Sequence, residues 1–302
     1  MLNFLPARII GGLASIAIFL NTLFWCLLLY VAAIFKLIVP LRGWRKQWTK
    51  IAIWLAEAWI SGNSAWMWLT QRTKWQVTGL EGLSYDDWYL VISNHQSWVD
   101  IFVLQHVFNK KIPFLKFFLK QELIWVPVIG LAWWALDFPF MKRYSKEQIA
   151  RNPELRGKDL ETTRKACERF KTTPVSVMNF LEGTRITPAK HQKQESPYRH
   201  LLKPKAGGIG FVLGAMGDQI DTMLDVTIVY PQGIPDAWAF LRGELKEVEV
   251  IIQERPIPAE YRNQDYQNDD AFREGFQSWV RDLWWEKDHL LSERLGLPEP
   301  QN

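Results

Sequence analysis

A histidine and an aspartate five positions apart, His95 and Asp100, lie where an apolar stretch gives way to a polar turn. The residues from Tyr89 to Ile92 have the pattern of a buried strand, and an apolar helix is predicted to follow the turn. The histidine therefore lies between a strand and a helix, a position that exposes a side chain at the mouth of an α/β sheet. If the carboxylate folds back onto the imidazole, it fixes the tautomer and makes the other ring nitrogen a general base for a hydroxyl group. For this pair alone, the alternative is a polar turn whose aspartate favours the helix dipole.

A second polar group, from Glu182 to Arg185, also follows directly on a predicted buried strand. Its glycine allows a tight backbone turn, and its arginine offers a fork of donors that suits phosphate or carboxylate. For this group alone, the alternative is a surface turn with an ordinary arginine. Together the two groups mark the ends of two strands of one sheet, where open α/β sheets bind their ligands.

In this combination the residues resemble the glycerolipid acyltransferase family, whose best-known members are the 1-acylglycerol-3-phosphate (lysophosphatidic acid) acyltransferases. The hallmarks of that family are a His-x-x-x-x-Asp motif and a Glu-Gly-Thr-Arg motif on one α/β domain. The resemblance extends from about Trp88 to Pro231. Three further segments are similar to shorter stretches of the family in the same order: Phe138–Arg143, Lys203–Gly208 and Asp225–Pro231.

The resemblance implies a direct transfer without a protein nucleophile. His95, oriented by Asp100, takes the proton from the free hydroxyl of a lysophospholipid, and the alkoxide attacks the thioester of an acyl-CoA or an acyl-carrier protein. No cofactor is expected beyond this co-substrate. The resemblance also implies which residues bind the acceptor and its phosphate: Glu182, Gly183, Thr184, Arg185, Arg143 and Lys205.

The expected function is therefore a membrane-bound O-acyltransferase that converts 1-acyl-sn-glycerol 3-phosphate into phosphatidic acid. The chain departs from the family pattern at Leu181 and Thr227, where the family usually has proline. Neither position should touch the proton transfer, so an active enzyme of a divergent subgroup is expected. The pieces Asn179–Arg185 and Leu202–Lys205 look more like the lysocardiolipin-type acyltransferases. The alternative acceptors are therefore lysophosphatidylglycerol, lysocardiolipin and glycerol 3-phosphate.

Other classes of protein find less support in the sequence. A lipase needs a Gly-x-Ser-x-Gly nucleophile elbow, which the chain does not contain. No metal site is predicted, because His95 and Asp100 have no third ligand at a suitable spacing. An inactive, lipid-binding membrane scaffold on the same fold is the hypothesis from a different class, and the intact His95, Asp100 and Glu182 argue against it.

The elements that must position these residues alternate between strands and helices from about residue 74. Helices are predicted near 98–108, 156–171 and 206–217, with a closing amphipathic helix from Asp270 to Arg294. This alternation favours an α/β fold with a mixed, largely parallel sheet flanked by helices. Strands are predicted at Trp75–Thr78, Trp88–Ile92, Phe138–Met141, Val175–Phe180, Leu224–Val229 and Glu247–Gln253.

Residues 1–70 are predicted to form a membrane-anchoring helical region, and residues 71–302 the α/β acyltransferase domain. The 27 residues from Ile9 to Phe35 carry no charge, and at about 1.5 Å per residue they can span a hydrocarbon core of about 30 Å with tilt. A second apolar stretch, residues 51–69, is interrupted by Glu57 and by Ser61–Ser64. It fits either a half-inserted interfacial helix or a helix packed on the α/β domain.

Charge and cysteine content favour the cytoplasmic face of a membrane. The first 80 residues contain eight basic residues and one acidic residue, and five of the basic ones follow directly on the apolar segment. A basic, tryptophan-rich segment suggests anionic lipid as its partner, and no nucleic-acid-binding motif accompanies it. Two distant cysteines indicate a reducing compartment. These features place the catalytic domain on the cytoplasmic side, and the absence of organelle-type targeting features favours a bacterial inner membrane.

Overall fold

Six strands form the main sheet, and two short strands form a separate pair. The computed structural model describes residues 4–141, 151–152, 167–168, 170 and 173–298. The main sheet contains β1 (Lys74–Thr78), β2 (Tyr89–Ser93), β3 (Leu115–Phe117), β6 (Ser176–Phe180), β7 (Thr222–Val229) and β8 (Glu247–Pro256), and the pair contains β4 (Leu119–Lys120) and β5 (Phe140–Met141). The order in the main sheet is β1-β8-β7-β2-β6-β3, and every neighbouring pair is parallel except β7 with β8. The predicted mixed, largely parallel sheet is confirmed.

Helices flank this sheet and form a separate hairpin at the start of the chain. The structure also contains two 3₁₀ turns, Gln121–Trp125 and Ala259–Tyr261. The helices are α1 (Ala7–Ile38), α2 (Arg42–Thr70), α3 (Val99–Phe108), α4 (Ile129–Ala135), α5 (Pro188–Gln194), α6 (Gly207–Met216), α7 (Ala237–Leu241) and α8 (Asp270–Arg294).

The central strand β2 is buried on both faces, with β7 on one side and β6 on the other. Because side chains alternate along a strand, Leu90 and Ile92 join the hydrophobic core that α6 and α8 cover. Tyr89 and Val91 join the second core, which contains the apolar residues of α3. An apolar residue at each of these positions is what burial between two helical layers requires. Polar side chains are therefore placed at the strand ends.

The first two helices pack along each other as a hairpin. The side-chain amide of Asn21 donates to the carbonyl of Trp59 and to the side-chain oxygen of Asn63, both at 2.9 Å. Gly62 is needed at this crossing, because a Cβ there would lie 2.2 Å from the Asn21 side-chain oxygen. The small and polar residues Ser61–Ser64, predicted as an interruption, therefore lie inside a continuous α2 and let the helices approach closely.

Helix α2 also packs on α3 of the sheet domain. Asn109 donates a hydrogen bond to Ser61 Oγ at 2.9 Å, and His106 Nδ1 lies 2.8 Å from Ser64 Oγ. Of the two alternatives for this stretch, the structure shows the helix packed on the α/β domain. The hairpin ends at Thr70 and β1 begins at Lys74, and the assignment of residues 1–70 as a membrane-anchoring region stays a prediction.

Several predicted elements differ from the observed ones in extent. The predicted strand Phe138–Met141 is reduced to the two residues of β5. Most of the helix predicted near 156–171 lies outside the described residues, as does Arg143. Strand β3 and helices α4, α5 and α7 were not predicted. The closing helix α8 has the predicted bounds.

Candidate active site

The turn after β2 carries His95, and the two neighbouring strands determine its position. Asn94 exchanges two hydrogen bonds of 2.9 Å with the backbone of Ile228, one from its amide and one to its side-chain oxygen. This exchange holds the turn against β7 just beyond Ser93, the last paired residue of β2. The His95 ring stacks on Phe180 at the end of β6, with ring centroids 3.9 Å apart and planes 13° apart. Thus β7 fixes the backbone of the turn and β6 fixes the ring.

Asp100 lies in the first turn of α3 and is completely buried. Its Oδ2 lies 2.9 Å from His95 Nδ1 and also accepts hydrogen bonds from the backbone N–H groups of Gln96 and Ser97, at 2.6 and 2.8 Å. The chain therefore folds the carboxylate back onto the imidazole. An Nδ1–H that donates to this carboxylate leaves the lone pair on Nε2, where the ring can accept a proton. Within the part of the chain that the structure describes, Nε2 makes no hydrogen bond.

The second oxygen of Asp100 is held by Tyr230, which follows the last residue of β7. The tyrosine hydroxyl donates to Asp100 Oδ1 at 2.7 Å. Burial, followed by the charge of Asp100 and the hydrogen bond to it, raises the pKa of Tyr230 well above its ordinary value. The phenol therefore remains a donor at neutral pH, and both oxygens of the aspartate are fixed.

Glu182 lies directly after β6 and is completely buried. Its Oε1 accepts a hydrogen bond from the backbone N–H of His95 at 2.7 Å, and its Oε2 accepts one from the backbone N–H of Leu202 at 2.8 Å. The carboxylate therefore ties the histidine turn to the segment that precedes α6. This geometry is that of a positioning group, and the acceptor contact that the resemblance implies stays a prediction.

The charge on Glu182 is finely balanced near neutral pH. Burial raises the pKa of its carboxyl to about 7, although the hydrogen bonds from Leu202 and His95 oppose that shift. A protonated carboxyl can no longer accept fully at both oxygens. The state of this group therefore bears directly on how firmly the His95 backbone is held.

The rest of the Glu-Gly-Thr-Arg turn lies beside the histidine. Gly183 has φ +68°, a left-handed conformation that glycine adopts without steric cost. The N–H of Ile186, the next residue after the turn, donates to the carbonyl of His95 at 2.9 Å. The guanidinium of Arg185 lies over the indole of Trp98, 4.5 Å from the ring centroid. The turn therefore places one oriented cation next to the His95 loop.

A further cation at this turn was not predicted from the sequence. Lys190, in α5, donates from Nζ to Thr184 Oγ1 at 2.7 Å and to the carbonyl of Arg185 at 2.9 Å. The helix is capped by Thr187, whose hydroxyl accepts from the Lys190 N–H, and it begins with proline at the first helical position. That capping pattern is visible in the sequence and could have identified both the helix and the lysine.

Two further residues were predicted to bind the acceptor's phosphate, Lys205 and Arg143. Lys205 is exposed, and its backbone N–H donates to the carbonyl of Leu181 at 2.8 Å. Arg143 lies outside the described residues. Within the described ranges, no group of three or more His, Cys, Asp or Glu side chains could hold a metal ion. The absence of a cofactor stays a prediction.

Helix α8 forms hydrogen bonds with the segment before α6, which in turn contacts Glu182. Trp284 Nε1 donates to the carbonyl of Leu202 at 3.0 Å, so the helix reaches the residue whose N–H holds Glu182. Asp288 accepts from the backbone N–H groups of Arg199 and His200, at 2.9 and 2.7 Å. The segment that fixes Glu182 is thus fixed in turn by the C-terminal helix.

Comparison with known proteins gives a family and a fold that agree with the sheet and the site described above. The chain belongs to the Acyltransferase family, whose sequence model matches residues 74–231. The matched range is just over half of the chain and includes every site residue from His95 to Tyr230. Helix α8 lies beyond it.

Two curated relatives are similar over more than half of this chain. Lysocardiolipin acyltransferase 1 of Danio rerio is 23% identical over 254 residues, which cover 78% of this chain and 60% of the relative. The 1-acyl-sn-glycerol-3-phosphate acyltransferase gamma of Mus musculus is 25% identical over 182 residues, which cover 57% of this chain and 43% of the relative. The chain therefore spans about three fifths or less of the length of these relatives.

A crystal structure of the 1-acyl-sn-glycerophosphate (LPA) acyltransferase PlsC from Thermotoga maritima has the same fold. The TM-score is 0.53 at 16% sequence identity, and the match covers 92% of this chain and 98% of that one. At this identity, the likeness concerns the fold alone.

Proposed function

We propose that this protein is a membrane-associated O-acyltransferase that transfers a fatty acyl group from an acyl thioester to the free hydroxyl of a lysophospholipid. The acceptor is 1-acyl-sn-glycerol 3-phosphate and the product is phosphatidic acid. The observation that carries this proposal is the 2.9 Å contact between His95 Nδ1 and Asp100 Oδ2, in a member of the Acyltransferase family.

The reaction follows from the roles of the two residues. Nε2 of His95 accepts the hydroxyl proton as the acceptor oxygen attacks the carbonyl carbon of the thioester. A new C–O bond forms, the C–S bond breaks, and the proton passes from the imidazolium to the leaving thiolate. Asp100 stabilises the imidazolium while it exists and keeps the ring in one orientation. The enzyme itself is never acylated.

Positioning of the base and recognition of the acceptor come from the second turn. Glu182 holds the His95 backbone, and Arg185 is the cation available for the acceptor's phosphate, with Gly183 and Thr184 lining the same turn. Lys205 and Arg143 remain predicted phosphate ligands. The donor is an acyl-CoA or an acyl-carrier protein, and no cofactor takes part.

Membrane association is the second part of the proposal. Helix α1 is long and apolar enough to cross a membrane, and many of its apolar side chains are exposed. A lysophospholipid stays in the bilayer because each buried CH₂ contributes about 0.8 kcal/mol, so the enzyme must act at the membrane surface. The two relatives come from vertebrates and lend no support to a bacterial inner membrane, which stays a prediction from the sequence.

Acyl transfer in lipid nanodiscs tests the reaction and the acceptor together. The protein would receive labelled oleoyl-CoA, or oleoyl-acyl-carrier protein, with one acceptor at a time: lysophosphatidic acid, lysophosphatidylglycerol, lysocardiolipin or glycerol 3-phosphate. We expect lysophosphatidic acid to react at least about tenfold faster than the others.

The other outcomes point to the alternatives. Product with only lysophosphatidylglycerol or lysocardiolipin would replace the acceptor and make the protein a remodelling acyltransferase, the activity suggested by the name of the Danio rerio relative. No product with any acceptor and either donor would contradict the enzymatic proposal and favour an inactive lipid-binding scaffold.

A further inference from the structure

The ammonium of Lys190 lies inside the turn that carries Arg185. Nζ donates to Thr184 Oγ1 at 2.7 Å and to the carbonyl of Arg185 at 2.9 Å, and the side chain is half-buried. An ammonium has three N–H donors, so these two contacts leave one donor for a ligand. Among the described residues, no carboxylate lies within ion-pair distance of Lys190.

Arg185 has the same lack of a counter-charge. Its guanidinium contacts the Trp98 ring at 4.5 Å, and no carboxylate of the described chain pairs with it. Stacking on an indole orients the guanidinium and leaves its in-plane donors available. Two cations therefore belong to one short segment, residues 185–190, without an acidic partner among the described residues. Like charges repel each other, and an anion bound by both would relieve that repulsion.

The turn is also fixed relative to the base. Ile186 N–H donates to the carbonyl of His95 at 2.9 Å, and Glu182, at the start of the turn, accepts from the His95 N–H at 2.7 Å. An anion held by Lys190 and Arg185 would therefore be held at a fixed place relative to the imidazole. This is what a head group requires if its hydroxyl is to meet the base.

We infer that Lys190 is a second phosphate-binding residue and that, with Arg185, it selects a phosphate monoester. This inference rests on the proposed function and names the acceptor class for the same site. A monoester carries a charge of about −1.5 to −2 at pH 7, which matches two cations. Each phosphodiester carries a single negative charge, so a head group with one phosphodiester, as in lysophosphatidylglycerol, needs only one cation. The pair of cations thus favours a lysophosphatidic-acid-type acceptor over a diester lysophospholipid.

Lys190→Gln tests the charge while keeping a donor that can still hold the turn. We expect KM for lysophosphatidic acid to rise about tenfold, with kcat and the KM for oleoyl-CoA changed less than about twofold. The preference for lysophosphatidic acid over lysophosphatidylglycerol, measured as the ratio of kcat/KM values, should fall by a similar factor. Lys193→Gln is the matched control, because Lys193 is exposed on the same helix and should behave as wild type.

Lys190→Arg separates the charge from the two turn contacts, because it keeps a cation at this position while its larger planar head group cannot repeat both contacts of an ammonium. A binding role predicts that Lys190→Arg changes the acceptor preference much less than Lys190→Gln. Equal losses toward both acceptors, or the same effect from both variants, would show a purely structural lysine and overturn the inference. If the wild type is active and Lys190→Gln has the same KM and the same acceptor preference, the inference about Lys190 is overturned and the proposed function still holds. If the wild type is inactive toward every acceptor, both the inference and the proposed function are contradicted.

Discussion

Two carboxylates lie within one hydrogen bond of His95, and their surroundings give them different tasks. Asp100 contacts the imidazole itself, and Tyr230 and two backbone N–H groups hold it in place. Among the described residues, Glu182 accepts hydrogen bonds only from backbone N–H groups, one of which belongs to His95. The aspartate therefore fixes the tautomer of His95, and the glutamate fixes the position of its backbone.

Replacing Glu182 by glutamine tests the positioning role through its pH dependence. The folded-state pKa of about 7 lies above the ordinary value of 4.5, so the folded protein binds this proton more tightly than the unfolded chain does. The contribution of this group to the free energy of unfolding is therefore greatest below pH 4.5. It declines as pH rises from 4.5 to 7, by up to about 3 kcal/mol. Glu182→Gln removes that decline.

The measurement is the free energy of unfolding of wild type and Glu182→Gln, in detergent, from pH 5 to pH 8. We expect the free energy of unfolding of the wild type to exceed that of Glu182→Gln by most at pH 5. This difference should become smaller as the pH rises toward 8. Acyl transfer by the variant should be reduced at every pH, because the new amide N–H₂ faces a backbone donor. Glu195→Gln, at an exposed position, is the control. A difference in the free energy of unfolding that does not change with pH would contradict the raised pKa of Glu182.

At this scale the sequence predicted the contact between the two residues of the central pair, but not the other contacts of the site. The spacing of His95 and Asp100 predicted that the carboxylate folds back onto the imidazole, and the structure shows that contact. The role of His95 as a general base stays a prediction. Tyr230 and Lys190 were not predicted as site residues, because each reaches the site through a contact between distant or non-periodic segments. Glu182 was predicted to bind the acceptor, and that role stays a prediction. Its hydrogen bonds to two backbone N–H groups could not be predicted, since only the folded chain brings His95 and Leu202 to its two oxygens.

Helix α8 connects the outer layer of the fold with the active site. Trp284, Lys287 and Asp288 are spaced three and four residues apart, so they point from one face of the helix. All three are buried and hydrogen-bonded. The Nζ of Lys287 lies 2.5 Å from Asp225 Oδ1 and donates to the carbonyl of Val226 at 2.7 Å. The helix therefore contacts both the segment before α6, which holds Glu182 through Leu202, and the strand β7.

Lys287→Met should lower the free energy of unfolding by about 3 kcal/mol or more, because it leaves the buried Asp225 with a weaker partner. That partner is Arg255, whose Nε lies 3.3 Å from Asp225 Oδ2. Urea titration of the detergent-solubilised protein measures the loss.

The double variant Lys287→Met with Asp225→Asn is the control for this prediction. It should recover part of the stability, because no buried charge is left unpaired and Arg255 keeps its contact with Glu286 at 2.6 Å. A single variant within about 1 kcal/mol of wild type, or a double variant no more stable than the single, would contradict the account of this ion pair.

Long periodic elements were predicted well and short ones poorly. The apolar periodicity of α8 extends over 25 residues, and its predicted bounds are those observed. Helices α4, α5 and α7 have seven residues or fewer, too few for a periodic pattern. Strand β3 has three residues, and its place at the sheet edge comes from pairing with β6, which no local pattern contains.

At the scale of the whole molecule, α1 has one face against protein and one face exposed. Ala14, Cys26 and Leu29 are buried against the hairpin and the sheet domain. Leu27 and Ile34, on the other face, are 55% and 58% exposed. A continuous apolar face of this length is typical of a surface that meets lipid.

Substituting asparagine for Leu27, Val31 and Ile34 together should weaken binding to anionic phospholipid vesicles by more than about tenfold. Each change removes apolar surface worth about 1 to 2 kcal/mol when buried in lipid. Vesicle flotation measures the bound fraction, and circular dichroism checks the fold. The control is Leu297→Asn, at an exposed leucine beyond the end of α8. Unchanged flotation of the triple variant would contradict a membrane role for this face.

The central claim is that His95 is the general base of acyl transfer to a lysophospholipid. The most direct measurement is the initial rate of transfer from oleoyl-CoA to lysophosphatidic acid in nanodiscs, for wild type and His95→Ala, with His289→Ala on α8 as the matched control. We expect kcat of His95→Ala to fall by about 10²- to 10⁴-fold with vesicle binding unchanged, and His289→Ala to match wild type. A His95→Ala protein that keeps its rate within tenfold of wild type would contradict the claim.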